Sequence, residues 1–191
     1  MDIFELKYPF AYFQGTLTSF CRGDEYTLSY FGGPSLKKIR GLNYGPRGLH
    51  HIATINGSDI GLSQFGISSV PFYFGMCFDG CELEYSTHYS GDVNIEKMDP
   101  VESSSSWPYP SYPDYLPYFP LTVESTSVIS KNEFSERVWM ELSEDELVFV
   151  VPTNPELNFS MWGPDGDAEG VELRFVYNPS KEYMKVNADC S

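Results

Sequence analysis

The chain is poor in positive charge. Lys and Arg number 12 against 27 Asp and Glu in 191 residues, a formal net charge of −15. A surface of that sign repels phosphate backbones, which sets nucleic acid aside as a partner. Histidine is scarcer still, with only His50, His51 and His88. The cysteines are Cys21, Cys77, Cys81 and Cys190, and only Cys77 and Cys81 are close in sequence. No second Cys or His pair stands at matching spacing, so a closed zinc site is not expected. No apolar run approaches the ~18 residues that span a bilayer. The segment Met1-Asp2-Ile3-Phe4-Glu5 carries acids where a secretory leader carries bases. The expectation is a cytoplasmic chain with reduced thiols and no membrane contact.

The familiar catalytic signatures are missing too. There is no Gly-x-Ser-x-Gly elbow, no Gly-rich phosphate loop with its Lys, and no His-Glu-x-x-His. Around Cys77 and Cys81 the charged neighbours are Asp79, Glu82 and Glu84, which raise a thiol pKa and lower its reactivity. His50 and His51 are adjacent on an expected strand, so their rings point to opposite faces. Paired carboxylates occur at Glu82/Glu84, Glu144-Asp145-Glu146 and Asp165/Asp167, but with 27 acids chance pairs are expected. The loop Asp165-Gly166-Asp167-Ala168-Glu169-Gly170 resembles the front of a calcium loop. The twelfth position, where an EF-hand needs a bidentate acid, is Val176. No residue is therefore assigned to catalysis, to a cofactor or to a metal, and the expected protein is not an enzyme.

What the chain does have is aromatic, β-favouring sequence; 16% of its residues are Phe, Tyr or Trp. Short strands are predicted over 11–13, 26–31, 49–55, 70–78, 81–85, 146–151 and 171–177. The run 70–78, the pair Asp79-Gly80 and the run 81–85 read as a hairpin. In 171–177 the alternation puts Val171, Leu173, Phe175 and Tyr177 inward and Glu172 and Arg174 outward. One helix is predicted: Ser130 is its N-cap, Glu133 follows at capping-box spacing, and Phe134, Val138 and Leu142 share a face. Residues 107–120 hold five prolines and six aromatics. They are expected to run as an extended strap packed on the fold, with the Trp and Tyr rings mostly buried. The fold class is thus α+β and mainly β, with antiparallel sheets and one short helix near 130–142. Residues 1–191 form a single domain that contains the strap. The lack of βαβ alternation argues against a nucleotide-binding parallel sheet.

The acidity is lopsided. Residues 1–75 hold 5 acids and 6 bases, whereas residues 76–191 hold 22 acids and 6 bases. A surface of that kind attracts a basic protein and speeds the encounter. The expected binding face lies within 79–102 and 141–172, where most of the excess acid stands. Its candidate partner-binding residues are Asp79, Glu82, Glu84, Glu144, Asp145, Trp162, Asp165, Asp167 and Glu169.

Three blocks resemble the YwqG-like family of bacterial proteins. They are Ser29-Tyr30-Phe31-Gly32-Gly33-Pro34, Gly48-Leu49-His50-His51-Ile52-Ala53-Thr54-Ile55 and Pro71-Phe72-Tyr73-Phe74-Gly75. The family's Trp-Pro between the first two blocks is absent here, and Thr54 stands where a Gln is expected. The resemblance implies a mainly β, α+β fold and an immunity protein encoded beside a bacterial toxin gene. It brings no catalytic residues. Joined with the acidity, it gives the expectation of a non-enzymatic immunity protein that occludes the active site of a basic toxin. The alternative is a carbohydrate-binding or carbohydrate-processing domain, since exposed aromatics also stack on sugars.

Overall fold

The computed structural model describes residues 6–24, 27–41, 48–76, 78, 80–88, 92–101, 113–152 and 171–190. Among them, twelve strands form one sheet. In chain order these are β1 (Phe10–Phe13), β2 (Thr16–Arg22), β3 (Ser29–Phe31), β4 (Ile39–Arg40), β5 (His50–Asn56) and β6 (Ser69–Phe74). They continue with β7 (Gly80–Thr87), β8 (Val93–Val101), β9 (Phe119–Val128), β10 (Leu147–Pro152), β11 (Val171–Asn178) and β12 (Tyr183–Cys190). The spatial order is β4-β8-β7-β12-β11-β10-β1-β2-β9-β3-β5-β6. The expected antiparallel sheets are thus a single mixed sheet: β4 runs parallel to β8, and the other ladders are antiparallel.

Strand β10 shows why the sheet has two cores. Its Leu-Val-Phe-Val-Val run lacks polar alternation, the pattern of a strand covered on both faces. Leu147, Phe149 and Val151 face the inner core, while Val148 and Val150 face the helix α1 (Lys131–Val138). Strand β1 does the same, with Ala11 and Phe13 inward and Phe10 and Tyr12 outward. The sheet curls around the inner core, so that Phe72 of β6 stacks on Phe149 of β10 at 4.1 Å between ring centroids. It does not close into a barrel. Instead, the buried Tyr85 hydroxyl of β7 donates to the Pro71 carbonyl at 3.0 Å and accepts from the Tyr73 N–H at 3.1 Å. A single phenol thus satisfies two backbone groups on the edge of β6, where Pro71 is tolerated because edge strands can carry proline.

The helix begins as the sequence predicts: Ser130 Oγ accepts from the Glu133 N–H at 3.2 Å, and Phe134 and Val138 are buried. Phe134 stacks on Tyr12 at 4.2 Å. The helix stops short of 142 because Trp139 takes a left-handed conformation, φ 53°. Leu142 still packs in the outer core, from the connection that follows.

The predicted 70–85 hairpin does not form. Strand β6 ends at Phe74 and pairs with β5, while β7 pairs with β8 and β12. Beyond Phe74 the chain turns: the Phe78 N–H donates to the Gly75 carbonyl at 3.3 Å, and Met76 and Phe78 bury their side chains in the inner core. A Cβ on Gly75 would lie 2.6 Å from the Phe78 ring. The apolar run is thus continued by a buried turn.

Within the expected strap, Trp107, Tyr109 and Tyr112 lie outside the described residues. The part from Pro113 onward packs along the fold. Gly33 N–H donates to the Leu116 carbonyl at 2.9 Å, and Leu116 is buried. Gly32 is required here: its φ is +64°, and a Cβ would lie 2.1 Å from the Pro117 carbonyl oxygen. Two rings correct the expectation of burial, since Tyr115 and Tyr118 are 57% and 55% exposed. Leu116 and Phe119 are the anchors, and the tract's last two residues, Phe119 and Pro120, open β9.

Candidate functional site

The outer face of the sheet is unequal. Over β1, β2 and β10 it is covered by α1. Over β12, β7 and β8 it is a ladder of polar side chains. Strand β7 alternates Cys81, Leu83 and Tyr85 inward with Glu82, Glu84 and Ser86 outward. Its partner β8 reads Val93-Asn94-Ile95-Glu96-Lys97-Met98-Asp99, and the register shifts between Glu84 and Tyr85. That β-bulge opposes an extra residue to β7 and brings both Glu96 and Lys97 to the outer face. The cross-strand register then sets Glu82 opposite Asp99, Glu84 opposite Lys97, and Lys185 of β12 opposite Glu84.

These neighbours are paired. Lys97 Nζ lies 2.6 Å from Glu82 and 3.2 Å from Asp99, and Lys185 Nζ lies 4.0 Å from Glu84. The Tyr183 hydroxyl donates to Glu84, and the Ser86 hydroxyl donates to Glu96 at 2.9 Å. The hydrogen bond to Glu82, reinforced by Asp99, holds the Lys97 ammonium above its ordinary pKa. Partial burial, then the bond to the Glu84 carboxylate, pushes the Tyr183 phenol up to about 12. Pairs this exposed add little stability. What they do is fix where each charge stands. Four carboxylates share the ladder with two ammonium groups, so the face is acidic but ordered.

Of the residues predicted for binding, Glu82 and Glu84 are brought together on this ladder. Glu144 and Asp145 are exposed on the turn before β10, separated from β7 in the sheet by β11 and β12. The ladder and the turn are therefore different parts of the surface. Asp79, Trp162, Asp165, Asp167 and Glu169 lie outside the described residues, as does the whole calcium-like loop. Sequence reasoning places Glu96, Lys97 and Asp99 within the 79–102 face without singling them out, and it misses Tyr183 and Lys185. The signal available for β8 was its apolar alternation at Val93, Ile95 and Met98, interrupted at Glu96-Lys97.

His50 and His51 serve the fold. His51 is buried between Tyr30 and Tyr73, with ring centroids at 5.3 and 5.4 Å. Its Nδ1 lies 2.8 Å from the Gly32 carbonyl and its Nε2 lies 2.8 Å from Thr54 Oγ1. A carbonyl can only accept, so Nδ1 carries the proton and Nε2 accepts from the threonine. Burial lowers the pKa of this neutral ring to about 4. His50 Nε2 likewise donates to the Pro113 carbonyl at 2.8 Å and ties down the strap. Burial also raises the Cys21 thiol pKa, with Glu124 adding to it. Cys21 is a free thiol.

Among the described residues, no group of three or more His, Cys, Asp or Glu side chains is placed to hold a metal ion. No described helix is long and apolar enough to cross a membrane. In comparisons with known proteins, no family model, no curated protein and no solved structure matched this chain.

Proposed function

We propose that this chain is a non-enzymatic immunity protein that seats a basic protein toxin on the polar face of β12, β7 and β8 and covers the toxin's active site. One observation carries the proposal. Among the described residues, the outer sheet face is left uncovered where Glu82, Glu84, Glu96 and Asp99 stand in fixed register, and it is covered by α1 where the sequence is apolar. Hydrogen-bonded antiparallel strands hold these side chains in register, so an incoming partner meets charges that are already placed. Pre-ordered polar groups lose less entropy on binding than mobile ones do. The acid excess over residues 76–191 acts at longer range and steers a cationic partner toward this half of the molecule.

The test is to co-express the chain with the product of the adjacent gene and score growth. Protection is expected from the native chain, and its loss from the double variant Glu82→Lys, Glu84→Lys with the fold intact. Undiminished protection by that variant removes the ladder from the interface.

A further inference from the structure

A second site lies on the inner face of the sheet, at the end where the apolar core stops. The register of β1, β2 and β9 sets Phe13 opposite Thr16, Ala11 opposite Thr18, and Thr18 opposite Thr126. Ala11 and Phe13 belong to the inner core, so the three threonines share that inner face. They line a cleft of about 360 Å³, closed on its far side by the turn that carries Asp59 and by Gln64. That volume falls within the ~300–1,000 Å³ of small-molecule sites.

The cleft is equipped for hydrogen bonding. Thr18 is only 3% exposed, yet its hydroxyl makes no hydrogen bond among the described residues, and the same holds for Thr16 and Thr126. Asp59 is held ready by a relay: the Asn56 N–H donates to Ser29 Oγ at 2.9 Å, and the Ser29 hydroxyl donates to Asp59 Oδ2 at 2.6 Å. Gln64 Nε2 donates to Gln14 Oε1 at 3.0 Å, which fixes both amides across the cleft mouth. Ala11, Phe13 and Ile60 supply an apolar floor. No Lys, Arg or His lines the cleft among the described residues. Hydroxyls and amides both donate and accept, and one carboxylate accepts only. That set suits a ligand bearing many neutral hydroxyls and a C–H face, and a carboxylate with no cation beside it disfavours an anion.

We propose that the threonine-lined cleft between the β1–β2 hairpin and the Asp59 turn binds a neutral monosaccharide. The site is separate from the polar outer face and stands or falls apart from it.

The experiment is an NMR titration of the full chain with D-glucose, D-galactose and N-acetyl-D-glucosamine, with putrescine and inorganic phosphate as charged probes. At least one sugar is expected to shift the methyl resonances of Thr18, Thr126 and Ile60. The double variant Thr18→Val, Thr126→Val keeps side-chain shape and loses two hydroxyls, so it should weaken that sugar by roughly tenfold or more. Gln64→Ala, at an exposed position, should weaken it about fivefold and serves if the double variant does not fold. The proposal is overturned if none of the three sugars shifts these methyls, if only putrescine or phosphate does, or if the variants that fold bind the sugar unchanged.

Discussion

Removing one oxygen from Tyr85 tests how the open edge of the sheet is held. Tyr85 is buried in the inner core, and its hydroxyl makes two hydrogen bonds to β6. Tyr85→Phe keeps the ring, its 5.9 Å edge contact with Tyr73 and nearly all the apolar packing. It takes away the one partner that the edge N–H of Tyr73 has among the described residues. Two ordinary hydrogen bonds are worth about 1 kcal/mol each, and a buried donor left unpaired costs about 1–3 kcal/mol. The expected loss is therefore about 3 kcal/mol, which for a chain of this size lowers Tm by roughly 6–12 °C. Urea unfolding of the two proteins measures the loss. Amide exchange locates it: the Tyr73 N–H should lose protection ahead of β5 and β10. A loss below about 0.5 kcal/mol with unchanged exchange at Tyr73 would show that the edge does not depend on this hydroxyl.

Other expectations concern charge, caps and backbone. The folded-state pKa of His51, about 4, lies below the ordinary 6.5, so its contribution is present above pH 6.5 and lost as pH falls toward 4. That gap corresponds to roughly 3 kcal/mol, and the pH dependence of urea unfolding between pH 7 and pH 4 should be flatter in His51→Asn. Tyr73 is shifted the other way, up to about 12, so its contribution holds below pH 10 and is lost between pH 10 and 12. Alkaline unfolding should coincide with the appearance of phenolate absorbance, and phenolate forming well before unfolding would contradict the burial. Ser130→Ala should cost about 1 kcal/mol in thermal unfolding by removing the helix cap. Trp139→Gly should stabilise by up to about 1 kcal/mol, because Trp139 is 83% exposed and holds a left-handed conformation that glycine adopts freely.

How far the sequence could be read depended on whether the signal was local. The Ser130 cap and the apolar spacing of Phe134 and Val138 lie within one short segment, and the helix appears there. Strands β10 and β11 were legible because apolar runs and alternation survive in them. Strands β2, β4, β8, β9 and β12 were not predicted. Strand β9 is rich in Thr, Ser and Glu beyond Leu121, and it is a strand because β2 and β3 pair with it on either side. The 70–85 hairpin failed for a related reason. Its Asp-Gly signal is local, whereas the actual partner of β6 is β5, and the partners of β7 are β8 and β12. The candidate face divides along the same line. Glu82 and Glu84 could be found from their spacing on one strand. Lys97, Asp99, Tyr183 and Lys185 join them only through cross-strand register, which no single segment encodes.

The central claim is that the ordered acidic ladder receives a basic protein, and the most direct measurement is the association rate with the adjacent gene's product as ionic strength is varied. The native chain should associate fastest at low salt and slow steeply as salt rises. Replacing Glu82 and Glu84 with Ala should slow association by about tenfold at low salt and flatten the salt dependence. Rates that are equal in the two proteins at every ionic strength would contradict the account.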